Sequence, residues 1–251
     1  MLLMTSTSKY WIDCGYGGMT DDECMVGDTG GVKDGEEGLD FLDRLLLSSN
    51  NGNTGNNDNK NHQRTAIDAG AGVGRITKYI LLRRYESVRL IEADPALSKR
   101  SRTYLGKKKA GRCTFTCSRL EDLNMDTYSF DSSSNGPGNG GRSGGAVDLI
   151  WLQWTLQYLT DADVVRTLKK LAKMLMTGTG ILVVKENRPY GSARTDRFQM
   201  ETPICNGRYD ITRSDNHHRF LFERSGLQVD YTEQGEETNT YAVSSSSSSS
   251  S

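Results

Sequence analysis

The chain has 251 residues, 35% of them hydrophobic, and a formal net charge of −1. That length holds one α/β domain with a full core and is too short for two comfortable ones. The charge balance argues against a global attraction to nucleic acid or anionic membrane, no apolar run approaches the roughly 20 residues of a membrane span, and Met1-Leu2-Leu3-Met4 is too brief for a secretory signal core.

In chain order, the first forty residues read as an added N-terminal cover, with an acidic run of Asp21, Asp22, Glu23, Asp28, Asp34, Glu36 and Glu37 that fits a solvated face and whose sign also suits a basic peptide tail. Leu39, Phe41, Leu42, Leu45 and Leu46 have helical spacing. Ser48 to His62 is nearly all Asn, Gly and Ser, Asp131 to Gly145 is similar, and Ser244 to Ser251 is pure serine. These stretches lack the apolar side chains that offset ordering entropy, so the boundaries expected are a cover over 1–47, flexible insertions at 48–62 and 131–145, one domain over 63–243 and a disordered tail over 244–251. Within the domain the pattern predicts strands at Thr65–Asp68, Val88–Glu92, Cys113–Cys117, Val147–Leu152 and Gly180–Lys185. It predicts helices at Arg75–Leu82, Pro95–Leu105, Asp161–Met176 and Ser214–Ser225, with Pro95 suited to a first helical turn and Thr160–Asp163 to a capping box. Such alternation implies a doubly wound, mostly parallel sheet. The five cysteines are scattered, with no Cys-x-x-Cys pair, and read as free thiols of a cytoplasmic or nuclear protein with no metal site.

The informative motif is Gly70-Ala71-Gly72-Val73-Gly74-Arg75, between the first strand and the first helix of the alternation. Glycine permits a tight turn and lets backbone touch a ligand. Glu92 ends the next strand, about 20 residues on, where a carboxylate accepts hydrogen bonds from a ribose. The Gly-x-Gly-x-Gly spacing is neither the pyrophosphate fingerprint nor a P-loop, which favours S-adenosylmethionine over a dinucleotide. Asp68 could hold the cofactor's amino group, and Arg75 its carboxylate as a planar fork.

Ile67 to Lys78 resembles the cofactor loop of the eukaryotic α-N-terminal protein methyltransferases. So do Asp148-Leu149-Ile150-Trp151-Leu152-Gln153-Trp154-Thr155-Leu156-Gln157-Tyr158-Leu159-Thr160-Asp161, then Val183-Val184-Lys185-Glu186-Asn187, then Ile211-Thr212-Arg213-Ser214-Asp215, in the family's order. The resemblance implies a Rossmann-like class I methyltransferase that uses S-adenosyl-L-methionine to methylate the α-amine of proteins with a free Xaa-Pro-Lys N-terminus, with neither nucleic acid nor membrane as partner. It also implies a cofactor shell of Gly70, Gly72, Arg75, Glu92, Leu120, Glu121 and Gln153, and substrate contacts at Trp154, Asn187 and Asp196. Glu121 stands where the family has Gln, which keeps an acceptor and loses a donor. Where the family has a histidine this chain has Tyr158, and where the family has its catalytic aspartate it has Arg208. Asp210, two residues on, is then the expected proton acceptor with Tyr158 beside the amine; the alternatives are a purely structural turn at Asp210 and Asp196 acting instead. The serines after Tyr241-Ala242-Val243 imply a shortened last edge strand. Two other readings stay open: a methyltransferase for a different substrate, and a non-catalytic module that holds cofactor or an N-terminal tail and regulates an active partner.

Overall fold

The computed structural model describes residues 30–50, 64–123, 147–191, 198–200 and 210–246. Its strands are β1 Thr65–Ala69, β2 Ser87–Glu92, β3 Cys113–Cys117, β4 Leu149–Gln153, β5 Ile181–Asn187, β6 Phe198–Met200, β7 Ile211–Arg213, β8 Leu227–Gln234 and β9 Thr238–Ser245. Seven of them form a central sheet in the order β3-β2-β1-β4-β5-β9-β8, while β6 pairs with β7 in a separate ribbon. Neighbours from β3 through β5 run parallel, while β9 is antiparallel to both β5 and β8. The order reverses beside β1, which pairs with β2 on one side and β4 on the other. In a sheet of this kind the carboxyl ends of the strands at that switch point form the ligand crevice.

The helices are α1 Gly30–Asn50, α2 Arg75–Tyr79, α3 Pro95–Ala110, α4 Asp161–Ala172 and α5 Asp215–Arg224. Side chains alternate across each strand, so the sheet feeds two cores. Ile67, Ile150, Leu152, Leu182, Val184 and Val243 face one way and pack with Val164, Leu168 and Leu171 of α4 and Leu221 and Phe222 of α5. Ala66, Leu90, Leu149, Trp151 and Val183 face the other way and pack with Phe41, Leu42 and Leu45 of α1 and with Ile76 of α2. Phe41 meets the fully buried Trp151 edge-on at 6.3 Å, an arrangement the ring quadrupoles favour. Gly38 lets α1 come this close, because a Cβ there would lie 2.4 Å from Ile80 Cδ1.

All the expected strands and helices exist, with shifted ends. Helix α2 stops at Tyr79 and passes into a 3-10 turn at Leu81–Arg83. Helix α3 leaves helical geometry at Gly106 (φ 72°, ψ 158°), one residue past its expected end, and resumes as far as Ala110. Asp94 caps it through Ala96 N and Leu97 N, with Pro95 in the first turn. Thr160 Oγ1 accepts from Asp163 N at 3.3 Å, as a capping residue should. Two boundaries need correction. Helix α1 continues through Ser48 to Asn50, with Ser48 Oγ donating to Arg44 O at 2.9 Å. The final strand is not shortened: β9 includes Ser244 and Ser245, and it lies between β5 and β8 while β8 forms the edge.

Candidate active site

The loop after β1 is the first wall of the crevice. Gly70, Gly72 and Gly74 have φ of 78°, 55° and 87°, a region that L side chains rarely adopt. Gly70 N and Ala71 N both donate to Ile91 O, at 2.9 and 3.0 Å, which ties the loop to β2. Glu92 closes it, with Oε2 accepting from Gly72 N at 2.7 Å and Oε1 from Asp94 N at 2.8 Å. Burial raises its carboxyl above the ordinary 4.5, opposed by those backbone donors. Each carboxylate oxygen keeps a further lone pair for a ribose hydroxyl. Asp68 is buried beneath the loop instead of facing the crevice, its Oδ2 accepting from Thr77 N at 3.0 Å and Thr77 Oγ1 at 2.7 Å. Desolvation pushes it up to about 6. Its Oδ2 is committed to holding α2, a structural use that the expectation of an amine ligand did not include.

The opposite wall comes from β4, β5 and α1. Arg75 is buried, its Nη1 ion-pairs with Asp34, and its guanidinium lies over the Trp154 ring at 5.1 Å. The same Asp34 accepts from Lys185 Nζ at 2.6 Å and from Gln153 Nε2 at 3.0 and 3.1 Å. Burial works against the Asp34 charge, yet Arg75 and Lys185 together hold its pKa below the ordinary 3.8. Asp34 therefore does not belong to a solvated face as the acidic run implied, although Glu36 and Glu37 of that run are exposed. Gln153 Oε1 in turn accepts from Trp151 Nε1 at 3.2 Å.

Trp154 comes next, with φ 51°, a positive value held by a bond from its N to Lys185 O at 3.0 Å. A β-region strand cannot continue through such a residue, so the chain turns there. Glu186 fixes the two residues after the turn: its Oε1 accepts from Thr155 N at 2.8 Å and Leu156 N at 2.7 Å, and desolvation pushes its carboxyl up to about 7. Arg213 of β7 reaches the same segment, donating to Leu156 O at 2.9 Å and Leu159 O at 2.6 Å while pairing with Asp161 at 2.9 Å. His217 Nε2 meets the other oxygen of Asp161 at 2.8 Å. The turn so held, Leu156–Tyr158, carries the half-buried Tyr158. Asn187 Nδ2 donates to Gln157 Oε1 at 3.2 Å, which joins the end of β5 to that turn.

The structure thus draws Gly70, Gly72, Arg75, Glu92, Gln153, Trp154 and Asn187 to the carboxyl ends of β1, β2, β4 and β5. Leu120 is buried at the start of a 3-10 turn after β3, and Glu121 beside it pairs with Arg119 Nε at 2.9 Å. Asp210 is half-buried one residue before β7, and β7 packs against the turn that carries Tyr158. Asp196, Arg208 and the acids from Asp21 to Asp28 lie outside the described residues. Asp34, Lys185, Glu186 and Arg213 were not singled out for the site from sequence. Lys185 and Glu186 follow the apolar run Ile181–Val184 at the end of a strand, and that was the available signal.

Two observations fit an adenosine-type cofactor in this crevice. A Cβ placed on Gly72 would meet nothing within 4 Å, so the loop faces open space there. Arg75 Nε and Trp154 Nε1 are buried without a hydrogen-bond partner among the described residues, and buried polar atoms of that kind call for an acceptor.

A seven-stranded sheet in the order β3-β2-β1-β4-β5-β9-β8 with β9 antiparallel, and a glycine loop and strand-end carboxylate at its switch point, has the class I S-adenosylmethionine-dependent methyltransferase fold. A solved methyltransferase of this kind from Leishmania major superposes with a TM-score of 0.65 at 25% identity, covering 94% of this chain and 82% of that one. The glycopeptide N-methyltransferase MtfA, complexed with S-adenosylmethionine, shares the fold alone, with a TM-score of 0.59 at 14% identity over 86% of this chain and 94% of that one. The family model described as AdoMet dependent proline di-methyltransferase matches residues 5–245, and the chain belongs to that family. The N-terminal Xaa-Pro-Lys N-methyltransferase 1 of Danio rerio is 30% identical over 169 residues, 67% of this chain and 64% of that protein. Its Xenopus laevis counterpart 1-A is 25% identical over 189 residues, 75% of this chain and 69% of that protein. The chain therefore spans just under two thirds of the Danio rerio relative, and the family's cofactor is S-adenosylmethionine.

Proposed function

We propose that this protein methylates the α-amine of protein N-termini that begin Xaa-Pro-Lys, with S-adenosylmethionine as methyl donor. The observation that carries the reading is the Trp154 turn. A residue expected to touch the substrate is held at positive φ by Lys185 and stacks on Arg75, so one indole links the cofactor wall to the mouth of the crevice. The relatives from Danio rerio and Xenopus laevis, both named N-terminal Xaa-Pro-Lys N-methyltransferases, support the substrate class.

Bound S-adenosylmethionine supplies a methyl group on a sulfonium, open to in-line attack. Glu92 would take the ribose hydroxyls, Gly70 and Gly72 would let the backbone approach, and Arg75 with Gln153 would hold the amino-acid end. Leu120 and Glu121 would flank the adenine side. Trp154 and Asn187 would place the incoming N-terminus, so that catalysis comes mainly from orientation. A free α-amine titrates near about 7.7–8.0 and is mostly protonated at neutral pH, so its proton must leave before attack. Asp210 Oδ is the acceptor assigned here, with the Tyr158 hydroxyl as a hydrogen-bonding partner, because a phenol titrating near about 10 is a poor base at pH 7.

The test is mass measurement after incubation with S-adenosylmethionine and a Ser-Pro-Lys peptide, beside its N-acetylated form. Methyl mass on the free-amine peptide alone is expected. Transfer to small amines and not to the peptide would overturn the protein substrate, and cofactor binding without transfer would make the chain a binding module. Asp210→Asn should lower turnover by about 10²-fold or more, and undiminished turnover would remove Asp210 as the base.

A further inference from the structure

The near-zero net charge conceals a segregation. Between Arg64 and Arg119 the sequence carries fourteen Lys and Arg residues against four acids. Three of those acids, Asp68, Glu92 and Asp94, are buried at the glycine loop and the start of α3, which leaves Glu86 exposed. Charge asymmetry within one chain is a signal that the average hides.

Arg75, Arg84 and Arg119 pair with Asp34, Asp43 and Glu121, and the fold gathers most of the other cations on one flank. Helices α2 and α3 both start at the crevice and run back along the sheet, so their ends meet at the opposite end of the strands. Lys109 Nζ donates to Lys78 O at 3.2 Å there, and Arg112 donates to Tyr85 O at 2.5 Å and Glu86 O at 3.0 Å. Arg83, Lys107, Lys108 and Arg112 are exposed around them. The crowding registers on Lys109, whose pKa is lowered first by burial and then by Lys78, Arg83 and Arg112. Further along α3, Lys99, Arg100 and Arg102 are also exposed, and β3 beside them is an edge strand. Like charges held together in this way cost stability until an anion joins them.

The chemistry of the flank selects among anionic partners. A folded acidic protein would need apolar and aromatic anchors at the centre of its interface. The exposed large hydrophobic residues Val32, Leu47, Tyr190, Phe198, Phe220 and Tyr231 all lie outside this segment. A helix lying in a membrane surface needs an apolar face to bury, but Leu105 of α3 is already buried in the core and Leu97 and Tyr104 are half-buried. An array of cations without apolar anchors matches evenly spaced phosphates. We propose that the flank formed by the ends of α2 and α3 and the entry to β3 is a docking surface for the phosphodiester backbone of nucleic acid. It grips without reading bases and leaves the crevice, at the other end of the strands, free for its own ligands. This inference stands apart from the methyltransferase reading, and it revises the expectation that nucleic acid is no partner.

The test is fluorescence anisotropy of the full chain with a labelled duplex DNA and a labelled duplex RNA of about 24 base pairs, titrated between about 50 and 200 mM salt. Binding should weaken with salt, with a log–log slope of about −5 for six phosphates neutralised. Arg83→Gln/Lys107→Gln/Lys108→Gln should reduce the slope by about 3 and weaken binding at least tenfold, with unchanged thermal melting and S-adenosylmethionine affinity. Lys169→Gln/Lys173→Gln at the C-terminal end of α4 should change neither affinity nor slope by as much as one of those three cations. Preference for DNA or for RNA would say which nucleic acid is held. The proposal is overturned by no binding to either duplex at the lowest salt, by equal weakening in the α4 variant, or by tighter binding to polyglutamate or to phosphatidylserine vesicles.

Discussion

Gly70 and Gly72 share a positive φ but not a neighbourhood, and this separates folding from binding at single positions. A methyl group on Gly70 would lie 2.3 Å from Thr155 Oγ1 and 2.6 Å from Thr155 Cγ2. Thr155 is held through its N by Glu186, so it cannot simply withdraw. Gly70→Ala should cost the left-handed penalty of about 1–2 kcal/mol plus the clash, read as a loss of urea stability of at least about 2 kcal/mol. Gly72→Ala meets nothing within 4 Å, so its stability loss should be the backbone penalty of about 1–2 kcal/mol alone. Its methyl group would project into the space assigned to the cofactor, and calorimetry should show S-adenosylmethionine binding weakened at least tenfold. Equal stability losses for the two variants, or unchanged cofactor affinity in Gly72→Ala, would count against this geometry.

At the scale of elements, α1 is joined to the crevice by one carboxylate. Asp34 meets Arg75, Lys185 and Gln153, while the exposed Arg44–Glu233 pair at 2.7 Å fastens the helix's outer part to β8. An exposed pair of that kind contributes at most about 1 kcal/mol, whereas removing one member of a buried cluster costs about 3–5 kcal/mol because the others keep their charge. Asp34→Asn should therefore destabilise the protein by that larger amount in urea. It should also let a ligand carboxylate compensate: saturating S-adenosylmethionine should raise the melting temperature of the variant more than that of the wild type, and 5′-methylthioadenosine, which lacks the carboxylate, should not. Equal shifts with the two ligands would dissociate Asp34 from the carboxylate subsite. None of this was legible in the sequence, where Asp34 sits among acids that read as solvated. The glycine turn and the apolar runs of β1, β2, β4 and β5 were legible because the cores bury those strands, so the signal is local. Strands β8 and β9 were not. Leu227–Gln234 is an edge strand with mostly exposed or half-buried side chains, and β9 buries Asn239 and Thr240 between two paired neighbours. Their strand character comes from partners distant in the chain.

Over the whole molecule, buried titratable groups oppose one another across the acid range. Burial pushes Glu186 up to about 7 and Asp68 up to about 6 from ordinary values of 4.5 and 3.8. Below those ordinary values each is protonated in both states and costs nothing. As pH rises from the ordinary values towards the raised ones, the unfolded chain has released protons that the folded one keeps, and stability falls until the folded group also ionises. His218 acts in the reverse sense. It stacks on Phe222, with Tyr241 nearby, and its Nδ1 has no hydrogen-bond partner among the described residues. Desolvation, then Arg213 and His217, pull it down to about 3, against a smaller opposite pull from Asp215 and Asp161. Its contribution is complete above 6.5 and is lost as pH falls towards 3. Between about pH 4.5 and 6 the two carboxyl groups gain stability on acidification while the histidine loses it, so His218 offsets one of the two protons and makes the wild-type profile shallower than the carboxyls alone would. His218→Phe keeps an aromatic ring against Phe222 and removes the one group that resists protonation there. Urea unfolding at pH 7, 6 and 5 should show the variant's stability climbing towards acid by about 1.4 kcal/mol per pH unit more steeply than wild type, the value of one proton. Parallel profiles would mean that His218 takes up its proton in the folded core, and that the packing around α5 is looser than its buried contacts with Phe222 and Tyr241 imply.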